Sequence, residues 1–147
     1  MEIADSCQVD FYVLDEGALS AEQLACRLAL MAWEQGHPIV VLTETTELAK
    51  ELDELMWNYP AGRFLPHSAE ADAGPVPVLI GQLDMQIPQG SEVIINLSDT
   101  PISEPERFKR LLEIVPANSS QRTTSRIKFR AYREQGLNPA SHAIDKR

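Results

Sequence analysis

Residues 39–42 read Ile39-Val40-Val41-Leu42, a short, continuously apolar run that is rich in β-branched side chains. A strand that is apolar on both faces is typical of the interior of a parallel sheet, because helices cover both sides of such a sheet. The run therefore predicts a parallel α/β sheet, with helices before and after this strand along the chain.

Helical patterns do lie on both sides of this strand. Ser20 and Gln23 form a capping box, which opens a helix that ends at Gly36. A second helix is predicted to begin near Thr45 or Thr46. The apolar residues at helical spacing are Leu24, Leu28 and Met31 in the first helix, and Leu48, Leu52, Leu55 and Met56 in the second.

Further strands are predicted at residues 10–14, 78–80 and 93–97. Ser103 and Glu106 form another capping box, which predicts a helix. Its inward residues would be Phe108, Leu111, Leu112 and Val115. The chain is therefore expected to form a single domain over residues 1–147. Its fold would be α/β, Rossmann-like and doubly wound, with a mostly parallel sheet and two C-terminal helices.

Positive charge is concentrated in the last segment of an otherwise acidic chain. The net charge is −9, but residues 118–147 hold seven of the thirteen Lys and Arg and only two acids. A helix is predicted here as far as Gly136. Within roughly a 100° arc it carries Arg122, Arg126, Phe129, Arg130 and Arg133. A helix facing the core would have apolar residues at these positions. A solvated face is the alternative, but the acids that usually alternate with bases there are missing, so we favour a binding surface.

Aromatic residues and prolines cluster in the middle of the chain, at Trp57, Tyr59, Phe64 and Pro66. Trp57 would lie about 180° from Leu48 on a regular helix, away from the predicted apolar stripe. Exposed apolar clusters mark interfaces, and aromatic residues are strong interface anchors. Two interpretations stay open: a docking surface for a partner, or a core plug in which Trp57 and Phe64 close the base of the sheet.

The motifs of common α/β enzymes are missing from the sequence. Residues 15–20, after the first strand, contain one glycine and two acids, which cannot form the glycine-rich turn that binds a pyrophosphate. No P-loop occurs, and His37, His67 and His142 each lack a neighbour at metal-ligand spacing. We therefore expect a protein without catalysis, cofactor or metal. The acidic N-terminus lacks a signal-peptide pattern and no stretch is long enough to cross a bilayer, so the expected location is cytoplasmic.

The sequence resembles the chi subunits of bacterial DNA polymerase III, essentially from end to end. Three of the stretches that carry the resemblance are Leu55-Met56-Trp57-Asn58-Tyr59-Pro60, Arg63-Phe64-Leu65-Pro66-His67 and Arg130-Ala131-Tyr132-Arg133-Glu134-Gln135-Gly136. The resemblance implies a Rossmann-like fold without catalysis, in an accessory subunit attached to the clamp loader.

The resemblance also implies two protein partners. One is the psi subunit of the clamp-loader complex, whose binding aromatic corresponds to Phe64, with Trp57 nearby. We assign Tyr59 and Pro66 to the same surface. The other partner is the acidic, phenylalanine-ended C-terminal tail of single-stranded-DNA-binding protein. The positions that bind this tail correspond to Arg122, Arg126, Phe129 and Arg130, and we add Arg133 from the same helix face.

In this interpretation the protein contacts DNA only indirectly and no membrane is involved. The alternative is a direct nucleic-acid-binding module that uses the arginine helix. The excess of acidic residues in the rest of the chain counts against that alternative.

Overall fold

Seven strands and three α-helices make up the part of the protein that the computed structural model describes, which is residues 7–15, 20–58, 67–68, 78–82, 87, 91–117 and 119–144. In chain order these elements are β1 (Gln8–Leu14), α1 (Ala21–Glu34), β2 (Ile39–Thr43), α2 (Thr46–Asn58), β3 (His67–Ser68), β4 (Val78–Gln82), β5 (Val93–Asn96), β6 (Arg110–Val115), α3 (Ser119–Glu134) and β7 (Ala140–Ile144).

The strands form one sheet in the order β3-β4-β2-β5-β6-β1-β7, and every pair of neighbours is parallel. Alternate residues of each strand point to opposite faces. Val41 and Leu112 belong to the core cluster beneath α1 and α2, whereas Val40 and Leu111 belong to the cluster beneath α3. Helices therefore cover both faces, which confirms the predicted Rossmann-like, doubly wound arrangement.

The predicted strand at residues 39–42 and the predicted caps of the two helices beside it are confirmed. All five residues of β2 are buried, and this strand lies between β4 and β5. In the capping box of α1, Gln23 N–H donates to Ser20 Oγ at 3.0 Å and Ser20 N–H donates to Gln23 Oε1 at 3.1 Å. Thr45 caps α2, because its Oγ1 accepts a hydrogen bond from Leu48 N–H at 3.1 Å.

The buried faces of α1 and α2 differ in part from the predicted faces. Met31 is 55% exposed and Leu48 is 39% exposed, although the helical spacing places both on the apolar stripes. In α1 the buried face includes Ala25, Cys26 and Ala29 instead. These small side chains allow the helix to pack closely against the sheet, which is how a dense core is built.

The predicted helix after Ser103 is wrong. Pro105–Arg107 form a short 3-10 helix, and the apolar residues that follow form β6, between β1 and β5. Leu111, Leu112 and Val115 are buried, but on both faces of the sheet rather than on one face of a helix. A short apolar run fits a buried strand as well as a buried helix, and pairing with two neighbouring strands decides between them.

The last strand, β7, has no counterpart among the predicted elements. Four of its five residues are exposed, so no apolar run in the sequence marks it. It pairs with β1 and forms one edge of the sheet. Within the described residues, the C-terminal region therefore contains one helix, α3, between two strands, rather than two consecutive helices.

Candidate functional site

The C-terminal end of α3 is fixed by a Schellman motif at Gly136. Gly136 has a φ of 91°, and its N–H donates to Arg133 O at 3.0 Å. The next N–H, that of Leu137, donates to Tyr132 O at 3.1 Å. Glycine adopts this left-handed conformation without strain. The predicted stop of the helix at Gly136 is confirmed.

A buried polar network holds the inner face of α3. Lys128 and Tyr132 are 5% and 0% exposed, and both reach Glu113 of β6, which is 1% exposed. Lys128 Nζ donates to Glu113 Oε1 at 2.9 Å and to Ser98 O at 2.5 Å. The Tyr132 hydroxyl donates to Glu113 Oε2 at 2.5 Å and accepts a hydrogen bond from Ile102 N–H at 2.9 Å.

Asn96 of β5 completes this network. Its Nδ2 donates to Glu113 Oε2 at 2.8 Å and to Thr100 O at 2.9 Å. Burial raises the pKa of Glu113, while the charge of Lys128 and three hydrogen bonds to the carboxylate act in the opposite direction. Both oxygens of Glu113 thus have donors, which a buried carboxylate requires.

An open groove of about 460 Å³ runs along the outer side of α3, lined by Arg126, Phe129, Arg130, Arg133 and Glu134. We call the first four of these residues the arginine surface. The three arginines are exposed, and within the described parts of the chain their guanidinium groups form no ion pair. Unpaired guanidinium groups around an aromatic wall suit a ligand that combines carboxylates with an apolar group.

Phe129 forms the aromatic wall of the groove and is half-buried. Its ring packs against Phe11 of β1, with 5.2 Å between the ring centroids and an angle of 49° between the planes. Phe11 is 1% exposed, so the contact anchors Phe129 to the core. The remaining part of the ring lies at the groove.

Arg122 is separate from this groove. Its Nη2 donates to Leu14 O at 3.2 Å, at the carboxyl end of β1. The structure thus brings four of the five predicted tail-binding positions together in one groove. It places the fifth position, Arg122, at a distance of one helical turn from the groove, with its guanidinium group against the sheet.

The mid-chain residues of the predicted psi surface are described only in part. Trp57 lies in the last turn of α2 and is 60% exposed, so it does not plug the core. Tyr59, Phe64 and Pro66 lie outside the described residues. The helix that carries Trp57 packs on the face of the sheet opposite to α3, because Leu52 and Met56 belong to the other core cluster.

His37 and His142 form pairs with buried or half-buried acids. His37 Nδ1 lies 2.6 Å from Glu92 Oε1, and His142 Nε2 lies 2.8 Å from Asp10 Oδ1. Asp10 also accepts a hydrogen bond from Arg110 Nη2 at 2.6 Å. Burial acts to raise the pKa of Asp10, but the hydrogen bonds from His142 and Arg110 outweigh burial and lower it. These pairs connect neighbouring strands and support a structural role for His37 and His142.

Neither a metal-binding cluster nor a membrane-spanning helix occurs among the described residues. Among them, no cluster of His, Cys, Asp and Glu is large enough to hold a metal ion. No helix within this part of the chain has the length and apolar character needed to span a membrane.

Sequence reasoning missed Glu113, Lys128 and Tyr132, which form the buried network on the inner face of α3. One signal could have found the first of them. Glu113 interrupts the apolar run Leu111-Leu112-Glu113-Ile114-Val115, and an acid inside a buried strand needs a partner of opposite charge.

The seven-stranded parallel sheet, covered by helices on both faces, defines a Rossmann-like α/β protein, and its arginine surface gives it a candidate site for an acidic ligand. The family model for the DNA polymerase III chi subunit, HolC, matches residues 7–140. The chain belongs to this family, whose members are accessory subunits of a replicative DNA polymerase.

Three relatives share this assignment, each named DNA polymerase III subunit chi. The Pseudomonas aeruginosa protein is 34% identical over 93% of this chain and 96% of its own length. The Haemophilus influenzae protein is 31% identical over 91% of this chain and 95% of its own. The Escherichia coli protein is 30% identical over 87% of this chain and 92% of its own.

A solved structure, the crystal structure of T4 UvsW, shares the fold with a TM-score of 0.70 at 8% sequence identity. The match covers 97% of this chain but only 42% of the T4 chain. At this identity the likeness concerns the fold alone.

Proposed function

We propose that this chain is a non-catalytic adaptor in DNA replication that joins two proteins. Its arginine surface binds the acidic, phenylalanine-ended C-terminal tail of single-stranded-DNA-binding protein. Trp57, together with Tyr59, Phe64 and Pro66, binds the psi subunit and so connects the chain to the clamp loader. Membership of the chi family supports an accessory role in the polymerase complex, and the two partners are our addition to it.

One observation carries the tail-binding proposal. Arg126, Arg130 and Arg133 are exposed, lack acidic partners in the described chain, and share a groove with Phe129. A guanidinium group can hold the terminal carboxylate of the tail through two parallel hydrogen bonds. The phenyl ring of the tail can pack against Phe129, since tilted aromatic pairs are favourable. The other arginines attract the aspartates, so binding is expected to weaken as salt rises.

The psi proposal is supported by the exposure of Trp57. A tryptophan that is 60% exposed in the last turn of a helix places a large apolar area in water, which a partner protein can cover. Because α2 and α3 lie on opposite faces of the sheet, a partner at Trp57 leaves the arginine surface free. Two partners can therefore bind at the same time.

Isothermal titration calorimetry with three ligands tests the tail proposal. They are an acidic peptide ending in a phenylalanine carboxylate, the same peptide with its C-terminus amidated, and a single-stranded DNA oligonucleotide. We expect the free-acid peptide to bind, and amidation to cost about 1.5–3 kcal/mol, the range for hydrogen bonds to charged groups. Equal binding of the two peptides would contradict recognition of the carboxylate. Preference for DNA would favour the nucleic-acid alternative instead.

A further inference from the structure

We infer that Glu113, Lys128 and Tyr132 are positioning residues, which fix the rotation of α3 about its own axis and so set where the arginine surface points. The inference builds on the proposed tail-binding role of that surface. These three residues do not line the groove. They act on it through the helix.

Lys128 and Tyr132 are four residues apart on α3, so they lie one above the other on the same side of the helix. At about 100° per residue, Lys128 and Tyr132 point roughly 100–160° away from Arg126, Arg130 and Arg133. Both side chains end on the same carboxylate, with Lys128 on Oε1 and Tyr132 on Oε2 of Glu113. Two anchors on adjacent turns hold the helix against rotation, whereas one anchor would allow it to pivot.

Glu113 is itself held by the sheet. The carboxylate belongs to β6 in the middle of the sheet and also accepts a hydrogen bond from Asn96 of β5. Lys128 and Tyr132 in turn bind the connection between those strands, at Ser98 O and Ile102 N–H. The helix is therefore tied to two strands and to the segment that joins them.

This polar network lies where apolar side chains could pack. Replacing a buried ion pair with apolar residues of similar volume is often neutral or stabilising, so stability alone does not account for it. The strength of a hydrogen bond depends on its direction as well as its distance, whereas apolar contacts have no preferred direction. A surface that holds a carboxylate by two parallel hydrogen bonds needs its guanidinium groups in fixed places before the ligand arrives, because such preorganisation lowers the entropic cost of binding.

Two alterations of the network test the inference. Tyr132→Phe removes one hydroxyl and no charge. The double variant Glu113→Gln with Lys128→Met removes both charges together, so neither is left buried alone. Ile80→Val is the matched control, since Ile80 is 0% exposed and lies in the core cluster on the other face of the sheet. Affinity for the acidic free-acid peptide is measured by calorimetry at several salt concentrations, at a temperature where each variant is fully folded by circular dichroism.

We expect Tyr132→Phe to bind the peptide about 3- to 10-fold more weakly, the equivalent of one hydrogen bond. The salt dependence should stay that of the wild type, because no groove charge has changed. Ile80→Val should bind like the wild type. Wild-type affinity in both network variants would overturn the inference, and so would an equal loss of affinity in the Ile80→Val control.

Amide hydrogen exchange across residues 121–133 separates this inference from the proposed function. If the wild type itself fails to bind the peptide, the proposed function is wrong. Amide hydrogen exchange is then the only measurement that tests the positioning role. Faster exchange along α3 in Tyr132→Phe than in Ile80→Val supports it, and equal exchange in the two variants overturns it.

Discussion

Phe129 of α3 and Phe11 of β1 pack with their ring centroids 5.2 Å apart, so a half-buried ring at the groove rests on a fully buried one. Tyr132, also of α3, packs against Phe11 as well, with a centroid separation of 6.1 Å. A phenyl ring bound at the groove would therefore extend an aromatic cluster that reaches into the core. The groove needs little rearrangement to receive such a ring, because its aromatic wall is already held in place.

Replacing Phe129 tests this aromatic contact. Phe129→Ala should weaken binding of the acidic peptide by about 2 kcal/mol, the size expected for an interface anchor. It should also lower the melting temperature, because Phe11 loses a packing partner. Phe129→Tyr should keep both properties, since it keeps the ring. Calorimetry and thermal unfolding measure the two effects. If Phe129→Ala bound the peptide with wild-type affinity, the ring of Phe129 would not be part of the binding site.

The arginines are expected to differ among themselves. Arg126→Ala and Arg130→Ala should each weaken peptide binding by about 1.5–3 kcal/mol and reduce its dependence on salt. Arg122→Ala should have a smaller effect on affinity, because its guanidinium group already binds Leu14 O. It should mainly lower thermal stability. If Arg126→Ala and Arg130→Ala both retained wild-type affinity in calorimetric titrations, α3 would be excluded as the site.

Among the residues that the structure describes, Glu134 is the one acid that lines the groove, and it opposes an acidic ligand. Glu134→Gln should therefore tighten peptide binding by about 0.2–1 kcal/mol, the range for exposed charge pairs. The gain should shrink as salt rises. Glu51→Gln is a matched control, because it makes the same charge change at an exposed position on α2. An equal gain in the control would show that only the net charge matters.

The psi surface can be tested with two exposed residues. Trp57→Ala should weaken association with psi by about 2 kcal/mol or more, while peptide affinity stays unchanged because α2 and α3 lie on opposite faces of the sheet. Met31→Ala is the control, since Met31 is 55% exposed on α1 and Trp57 is 60% exposed. Gel filtration of the mixture with psi gives the readout. Loss of both partners in folded Trp57→Ala would contradict two independent sites.

Asp10 should contribute to acid stability. The hydrogen bonds from His142 and Arg110 lower its pKa in the folded state below the ordinary value of 3.8. A carboxyl group with a lowered folded-state pKa stabilises the fold above its ordinary pKa, and this contribution is lost as the pH falls through the folded-state pKa. Asp10→Asn should thus be less stable at neutral pH and show a shallower loss of stability below pH 3.8. Denaturant unfolding at several pH values measures this, and parallel curves for variant and wild type would contradict it.

What the sequence predicts well here is local. The capping box at Ser20 and the stop at Gly136 depend on residues a few positions apart, so their patterns identify the helix ends. The arginine surface is also a local pattern, since it follows from spacing along one helix. The role of Arg122 is different, because its acceptor Leu14 O lies 108 residues away in the chain.

The strand β6 and the residue Glu113 show where local patterns fail. An apolar run of five residues with one acid fits two structures, and only pairing with β1 and β5 selects the strand. The partners of Glu113, which are Asn96, Lys128 and Tyr132, come from two separate elements, β5 and α3, that the fold brings together around β6. For Tyr59, Phe64 and Pro66, which lie outside the described residues, the assignment to psi stays a prediction.

The position of β1 between β6 and β7 has a consequence for synthesis of the protein. Asp10 is separated by 100 residues from Arg110 and by 132 residues from His142, and it binds both. Translation at about 5–20 residues per second leaves β1 outside the ribosome for several seconds before either partner strand emerges. A nascent chain stalled before residue 110 would leave β1 with unpaired backbone groups at an open strand edge, and Phe11 and Val13 on a face that α3 does not yet cover. Such an edge is the kind of surface that chaperones bind during translation.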